Sequence, residues 1–261
     1  MAYELIPLFS GSSGNASLLR CGDTTLLIDA GVSCKRLEDA ASRLGTSLDA
    51  VTAVLITHEH SDHVKGLEML CKRHHKPVYI CEASFEAMKA ASPTDQLASC
   101  VSFLEPGEGF TVGEIGILPF KTPHDAFASV GFRFTLSDGS SVGYATDIGY
   151  VTRGIASALA GCETVLLESN HDEQMLITGP YPYYLKERIL SDKGHLSNRA
   201  CAAFLPHLYA NGTKKVILAH LSEHNNTPEK AYVTGRTAIE QNGLDPARCK
   251  LTVARKGLFE P

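Results

Sequence analysis

Thr57-His58-Glu59-His60-Ser61-Asp62-His63 follows directly on the apolar run Ala53-Val54-Leu55-Ile56 and sets three imidazoles and two carboxylates within seven residues. A short aliphatic run of this kind reads as a buried strand, and the polar heptad as the loop that leaves its end. Imidazole and carboxylate together suit zinc, manganese or iron, and no cysteine stands within the stretch to close a structural zinc site. A solvated loop has no use for this density of ligands behind a buried strand, so the stretch is read as a metal site.

Three further candidates lie at or just past the ends of apolar runs: His124 in Lys121-Thr122-Pro123-His124-Asp125, Asp147 in Tyr144-Ala145-Thr146-Asp147-Ile148-Gly149, and His220 in Val216-Ile217-Leu218-Ala219-His220-Leu221-Ser222. A loop carried by a rigid strand presents a ligand well. Singly, each would be an ordinary histidine or turn aspartate; with the heptad they form a set.

That set, with His58-x-His60-x-Asp62-His63 at its head, resembles the ligand signature of the metallo-β-lactamase-fold superfamily of hydrolases. The resemblance implies that His58, His60 and His124 hold one divalent metal ion and that Asp62, His63 and His220 hold a second, with Asp147 bridging. Asp62 then serves both as ligand and as catalytic residue. Zinc or manganese is the expected pair, with iron as a further candidate. Two such cations share a water, bring its pKa from about 15.7 toward 7, and stabilise both oxygens of a displacement. Glu59 is left outside the ligand set, to orient an imidazole from behind.

Length and composition fit one domain. The 261 residues are 44% hydrophobic and 20% charged, enough for a sizeable core, and no linker or low-complexity tract divides them. The ligands run from His58 to His220, so a cut would split the site. Eight cysteines without Cys-x-x-Cys spacing read as reduced thiols of a cytoplasmic protein. The start Met1-Ala2-Tyr3-Glu4-Leu5-Ile6-Pro7 has no signal-peptide pattern, and no apolar run approaches the ~18 residues of a membrane span. A net charge of -5 excludes a broad basic footprint for nucleic acid, so such a substrate would be gripped by the metals and a local groove.

Periodicity places short strands at Tyr3 to Phe9, Ala16 to Cys21 and Thr24 to Asp29, an antiparallel meander, then a helix from about Ser33 to Leu44. Val51 to Ile56 is a strand, Val64 to His74 a helix, Val78 to Cys81 a strand, and Ala83 to Ala90 a helix. The second half repeats this logic: strands within Gly109 to Thr122, Ser129 to Leu136 and Ser141 to Thr146, the last two joined at Asp138-Gly139. Helices near Thr152 to Ala160, Pro182 to Ser191, Ser197 to Asn211 and Pro228 to Gln241 alternate with strands at Thr164 to Glu168, Lys215 to Ala219 and Lys250 to Val253. Periodicity alone yields a mixed α/β or α+β class. The four-layer αββα sandwich is what the resemblance implies.

His195, in Lys193-Gly194-His195-Leu196-Ser197, discriminates among activities. It resembles the glycine-histidine motif of the phosphodiesterase branch, where the imidazole faces the scissile phosphate, stabilises its charge or protonates the leaving oxygen. Three segments resemble the bacterial YycJ/WalJ-type group, which is linked to nuclease activity on DNA: Phe9 to Ala16, Leu167 to Asp172 and His220 to Asn226. From these, Ser12, Asn15, Asn170, His171 and Asn225 are expected to touch substrate. Residue chemistry alone reads the same segments equally well as a serine-glycine turn and a helix-capping turn. His74-His75, beside Arg73 and Lys76, reads as a solvated helix end.

The chain has no room for the β-CASP clamp of the large RNA nucleases of this superfamily, which disfavours a ribonuclease. His60 stands where the flavodiiron oxygen reductases have glutamate, which disfavours redox chemistry. The expected function is a metal-dependent phosphodiesterase acting on DNA ends. The other readings are hydrolysis of a small thioester or lactone, and a regulatory protein that binds metal without turnover.

Overall fold

The computed structural model describes residues 3–91 and 95–259. The first sheet holds β1 (Tyr3–Phe9), β2 (Ala16–Cys21), β3 (Thr24–Ile28), β4 (Ala53–Leu55), β5 (Val78–Ile80) and β6 (Val101–Phe103), in that order across the sheet. The second holds β7 (Phe110–Val112), β8 (Ile115–Lys121), β9 (Val130–Thr135), β10 (Ser141–Ala145), β11 (Thr164–Glu168), β12 (Lys215–Ala219) and β13 (Lys250–Val253), again in chain order. Each sheet starts as an antiparallel meander, through β3 and through β10, and then turns parallel. The inner parallel strands β4, β11 and β12 are buried, largely apolar runs, because crossover helices cover such strands and leave no polar face to alternate.

Leu19, Leu26, Ile28 and Leu55 of the first sheet meet Phe132, Phe134, Tyr144, Leu166 and Ile217 of the second in one buried cluster. Leu37, Leu70 and Phe85 pack helices on the outer side of the first sheet. Ile155, Leu205, Leu208 and Ile239 do the same for the second. Three apolar layers between four layers of structure make the αββα sandwich.

Parallel register aligns the strand ends that matter. Ile28 pairs Leu55, Ala145 pairs Leu167, and Glu168 pairs Ala219, so the turns after β3 and β4 leave one edge together, and those after β10, β11 and β12 likewise. Ligand-bearing loops of α/β sheets gather at such carboxyl ends.

One expectation needs correction, and one strand was not anticipated. The helix read from Val64 to His74 is broken into Ser61–Val64 and Leu67–His74. A Cβ on Gly66 would come within 2.1 Å of the Val32 carbonyl oxygen, so the chain presses backbone on backbone there and turns. Strand β6 has no buried alternate positions to reveal it, since Val101 is half-buried and Ser102 and Phe103 are exposed at the sheet edge. Among the described residues no helix is long and apolar enough to cross a membrane.

Candidate metal centre and active site

Among the described residues, three of the four non-glycine residues with positive φ stand at this centre: Asp29 (62°), Asp147 (56°) and His220 (57°). Each follows the end of a strand, β3, β10 or β12, and the left-handed turn swings its side chain inward from the strand direction. Such backbone costs roughly 1–3 kcal/mol per residue and persists where surrounding structure enforces it. Ser10 accepts a hydrogen bond from the His220 amide at 2.7 Å, and the Asn170 amide donates to the His220 carbonyl at 2.9 Å, fixing that turn from both sides.

The sequence-separated ligand candidates converge. One ligand atom each of His58, His60 and His124 lies within 4.8 Å of the others, and the same holds for Asp62, His63 and His220. Asp147 joins both neighbourhoods, grouping with His58 and His63 on one side and with His220 on the other.

Hydrogen bonding settles which nitrogen each ring offers. Thr57 Oγ1 sits 3.0 Å from both Asp29 oxygens, donates to that carboxylate and accepts from His58 Nδ1 at 3.0 Å. His63 Nδ1 donates to Asp29 at 2.8 Å, His124 Nδ1 to the Gly194 carbonyl at 3.1 Å, and His220 Nδ1 to Glu168 at 2.8 Å. All four rings therefore turn Nε2 to the centre, and His58 Nε2, His220 Nε2 and Asp147 Oδ2 are buried without any hydrogen-bond partner.

Buried orphaned acceptors on converging rings fit divalent cations. His60 Nδ1 and His124 Nε2 stand 3.2 Å apart, His63 Nε2 and Asp147 Oδ2 3.3 Å. Those gaps match the ~3.3 Å edge of a tetrahedron of ligands at about 2.0–2.1 Å.

The electrostatics agree. Burial works against charge on His220, yet Asp147, Asp62 and Glu168 raise its pKa to about 10. Burial is likewise overcome at His63, raised well above the usual imidazole range by Asp147 and Asp29. Asp147 is held well below the carboxylate range by His220 and His63 in spite of its burial. Protons on these imidazoles occupy the electrostatic place that cations fill.

Two residues of the centre escaped the reading of the sequence. Asp29 and Glu168, both fully buried, orient the ligating rings, the role assigned to Glu59. Glu59 instead accepts from Ser84 Oγ at 2.6 Å and from the Phe127 amide at 2.8 Å, bracing the loop that carries His124. The available signal was a carboxylate closing an all-apolar strand, Leu26-Leu27-Ile28-Asp29 and Val165-Leu166-Leu167-Glu168.

Residues 24–221 match the model of the beta-lactamase superfamily domain. The chain belongs to the beta-lactamase superfamily. It is 39% identical over 245 residues to the exodeoxyribonuclease WalJ of Streptococcus pneumoniae serotype 2, covering 94% of this chain and 91% of that protein. It is 36% identical over 247 residues to the exodeoxyribonuclease YycJ of Bacillus anthracis, covering 94% and 92%. These near full-length likenesses place it in the WalJ/YycJ branch. Its fold overlays on the metallo-beta-lactamase fold protein YhfI of Bacillus subtilis with a TM-score of 0.72 at 16% identity, over 99% of each chain.

Within this superfamily member, a cavity of about 220 Å³ opens on the ligand cluster, lined among others by Ser12, Asp62, Asp147, Asn170, His195 and His220. His195 Nδ1 donates to Glu168 at 2.8 Å, sharing that carboxylate with His220, and its other nitrogen is left to the cavity. Asn15 donates to Asp62 at 3.3 Å and receives the Gly11 amide at 3.0 Å, tying the Gly11–Asn15 turn to the metal loop. Asn170 lines the cavity while its amide holds the His220 turn.

His171 and Asn225 stand elsewhere. Both are buried and neither is among the cavity-lining residues; burial pushes the His171 pKa down to about 4. The neighbouring Asp172 caps the helix Glu173–Thr178, accepting from Met175 at 2.9 Å. Of the cations, Arg188 lines the cavity and pairs with Asp125, whereas Arg199 is exposed and paired with Glu173.

Proposed function

We propose that this chain is a metal-dependent exodeoxyribonuclease that hydrolyses phosphodiester bonds at DNA ends. The observation that carries the reading is His195, an imidazole outside the ligand set, held on Glu168 at the edge of the ligand cluster with one nitrogen free for the cavity. Support comes from the names of two relatives, exodeoxyribonucleases both, that match 94% of the chain.

His58, His60 and His124 would hold one divalent cation, and Asp62, His63 and His220 a second, with Asp147 between them; zinc or manganese suits this nitrogen and oxygen set. When bound, the pair supplies Lewis acidity and a water acidified toward neutral pH. The chain's own residues do the rest. Asp29 and Glu168 keep the rings in the ligating tautomer. His195 donates from its free nitrogen to a phosphate oxygen or to the departing oxygen, and the buried Glu168 carboxylate steadies the positive ring while it does so. Arg188, fixed by Asp125, adds one positive charge to the cavity wall. A thioester or lactone has no phosphate charge for His195 and Arg188 to meet. All eight cysteines are free thiols, as suits a place of action in the cytoplasm beside DNA.

The test is incubation of purified protein with Mn²⁺ or Zn²⁺ and end-labelled single- and double-stranded DNA, with a chelator control. Nucleotides should be released from ends, and only with metal. Turnover of a thioester or lactone by metal-loaded protein that leaves DNA intact overturns the proposal.

A further inference from the structure

A 220 Å³ cavity is smaller than the ~300–1,000 Å³ typical of sites that enclose a drug-sized ligand. It has room for a phosphate and part of its sugar, which would leave the bases of a strand outside it. The segments that carry His124, Asp147 and Arg188 also carry exposed aromatic rings that no core needs. Phe127 is 76% exposed, Tyr184 72% and Tyr150 47%. Phe127 stands three residues after His124, and Tyr150 three after Asp147.

Tyr184 lies one helical turn before the cavity-lining Arg188, on the same ridge of the helix Tyr183–Leu190, whose Leu185 and Ile189 also face the cavity. Tyr183 falls on the opposite flank. The three segments are knitted into one wall. Arg188 pairs with Asp125 at the foot of the Phe127 loop, the Asp125 amide donates to the Lys193 carbonyl at 3.1 Å, and the Gly149 amide donates to the Pro123 carbonyl at 2.9 Å. Gly149 also abuts Asp192, where a Cβ would sit 2.2 Å from the carbonyl oxygen.

Charge cannot supply much of the grip. The chain carries -5, and Arg188, the cation on the cavity wall, is already paired. Exposed aromatic rings bind unpaired bases whatever their sequence, since every base has a face to stack, and each stack adds grip that charge does not supply here.

We infer that Phe127, Tyr150 and Tyr184 form a stacking platform for the bases of the DNA strand whose terminal phosphodiester enters the cavity. The inference takes the strand's identity from the nuclease reading, but base stacking is a binding event and is measured apart from cleavage.

The experiment uses metal-loaded protein and a fluorescein-labelled single-stranded oligonucleotide with phosphorothioate linkages, with Kd read by fluorescence anisotropy. Phe127→Leu, Tyr150→Leu and Tyr184→Leu keep apolar bulk and lose the ring. Each ring that carries a base should weaken binding by about 5- to 150-fold, the scale of one base–aromatic stack. Phe127→Tyr, Tyr150→Phe and Tyr184→Phe keep the ring and should retain the wild-type Kd. Wild-type Kd in all three leucine variants overturns the platform, as does equal weakening in the ring-retaining set. Failure of the wild type to cleave unmodified DNA counts against the nuclease reading alone, because the Kd comparison does not pass through turnover.

Discussion

At the scale of single residues, the proposed centre divides ligation, orientation and proton transfer among different groups, and each assignment has its own test. Asp147→Ala should lose metal and activity together, because the remaining rings leave two cations repelling across the site. Glu168→Gln keeps the shape but removes the charge shared by His195 and His220, so metal affinity should fall roughly 10- to 100-fold, by calorimetric titration. His195→Ala should keep its metals, by elemental analysis, and lower turnover by roughly 10²–10⁴. Metal loss in that last variant would make His195 a ligand.

The same groups set a pH dependence in the chelated protein. His220, raised to about 10 in the fold against ~6.5 unfolded, binds its proton more tightly when folded. Its contribution is therefore complete below pH ~6.5 and is lost as pH rises through about 10. His63, raised by Asp147 and Asp29 against its burial, acts in the same direction. Urea midpoints of chelated protein should fall between pH 7 and pH 10. Metal uptake at pH 8 should release protons into a weak buffer.

At the scale of elements, close backbone packing holds the loop from His58 to His63 in place. The amide of Asn15 donates to the Asp62 carbonyl at 2.8 Å, and that of Ala30 to the His63 carbonyl at 2.8 Å. Gly31 makes this closeness feasible, for a Cβ there would lie 1.7 Å from the Asp62 oxygen. Gly31→Ala should push the turn after β3 away from the heptad, lowering the thermal midpoint by roughly 2–12 °C and weakening metal binding with it. A variant with wild-type midpoint and metal content would show that the loop yields freely. The substitution touches no ligand, so any metal lost is lost through geometry.

At the scale of the molecule, net charge and the small cavity act together. With -5 overall, few phosphates can be engaged at once. The slope of log K against log salt for a DNA end should therefore correspond to only a few contacts, at about 0.7 per phosphate for a single strand. A slope matching eight or more phosphates would reveal a basic track along the surface. Chelation should weaken binding of a short end sharply, since the ligand cluster without cations presents Asp62 and Asp147 to a phosphate.

Strand and helix order was legible in the sequence because periodicity and burial are local: Tyr3–Phe9, Ala16–Cys21, Thr164–Glu168, Lys215–Ala219 and Pro228–Gln241 stand where their patterns put them. The family was legible because the candidate ligands stand in order at strand ends, so His58, His60, Asp62, His63, His124, Asp147 and His220 could be named before any of them had a position in space. What local pattern could not carry was decided by packing between distant segments. The break at Gly66 exists because Val32 presses on it. Asp29 and Glu168 become part of the centre only when parallel strands bring their ends beside His63, His195 and His220, and in the sequence each is one more carboxylate after an apolar run. Asn225 and His171, polar residues among the segments that carry the resemblance, are buried away from the cavity lining because the turns around them pack against helix ends. Chemistry-bearing residue types are written in the chain, but which of them face one point is set by the register and left-handed turns of the tertiary structure.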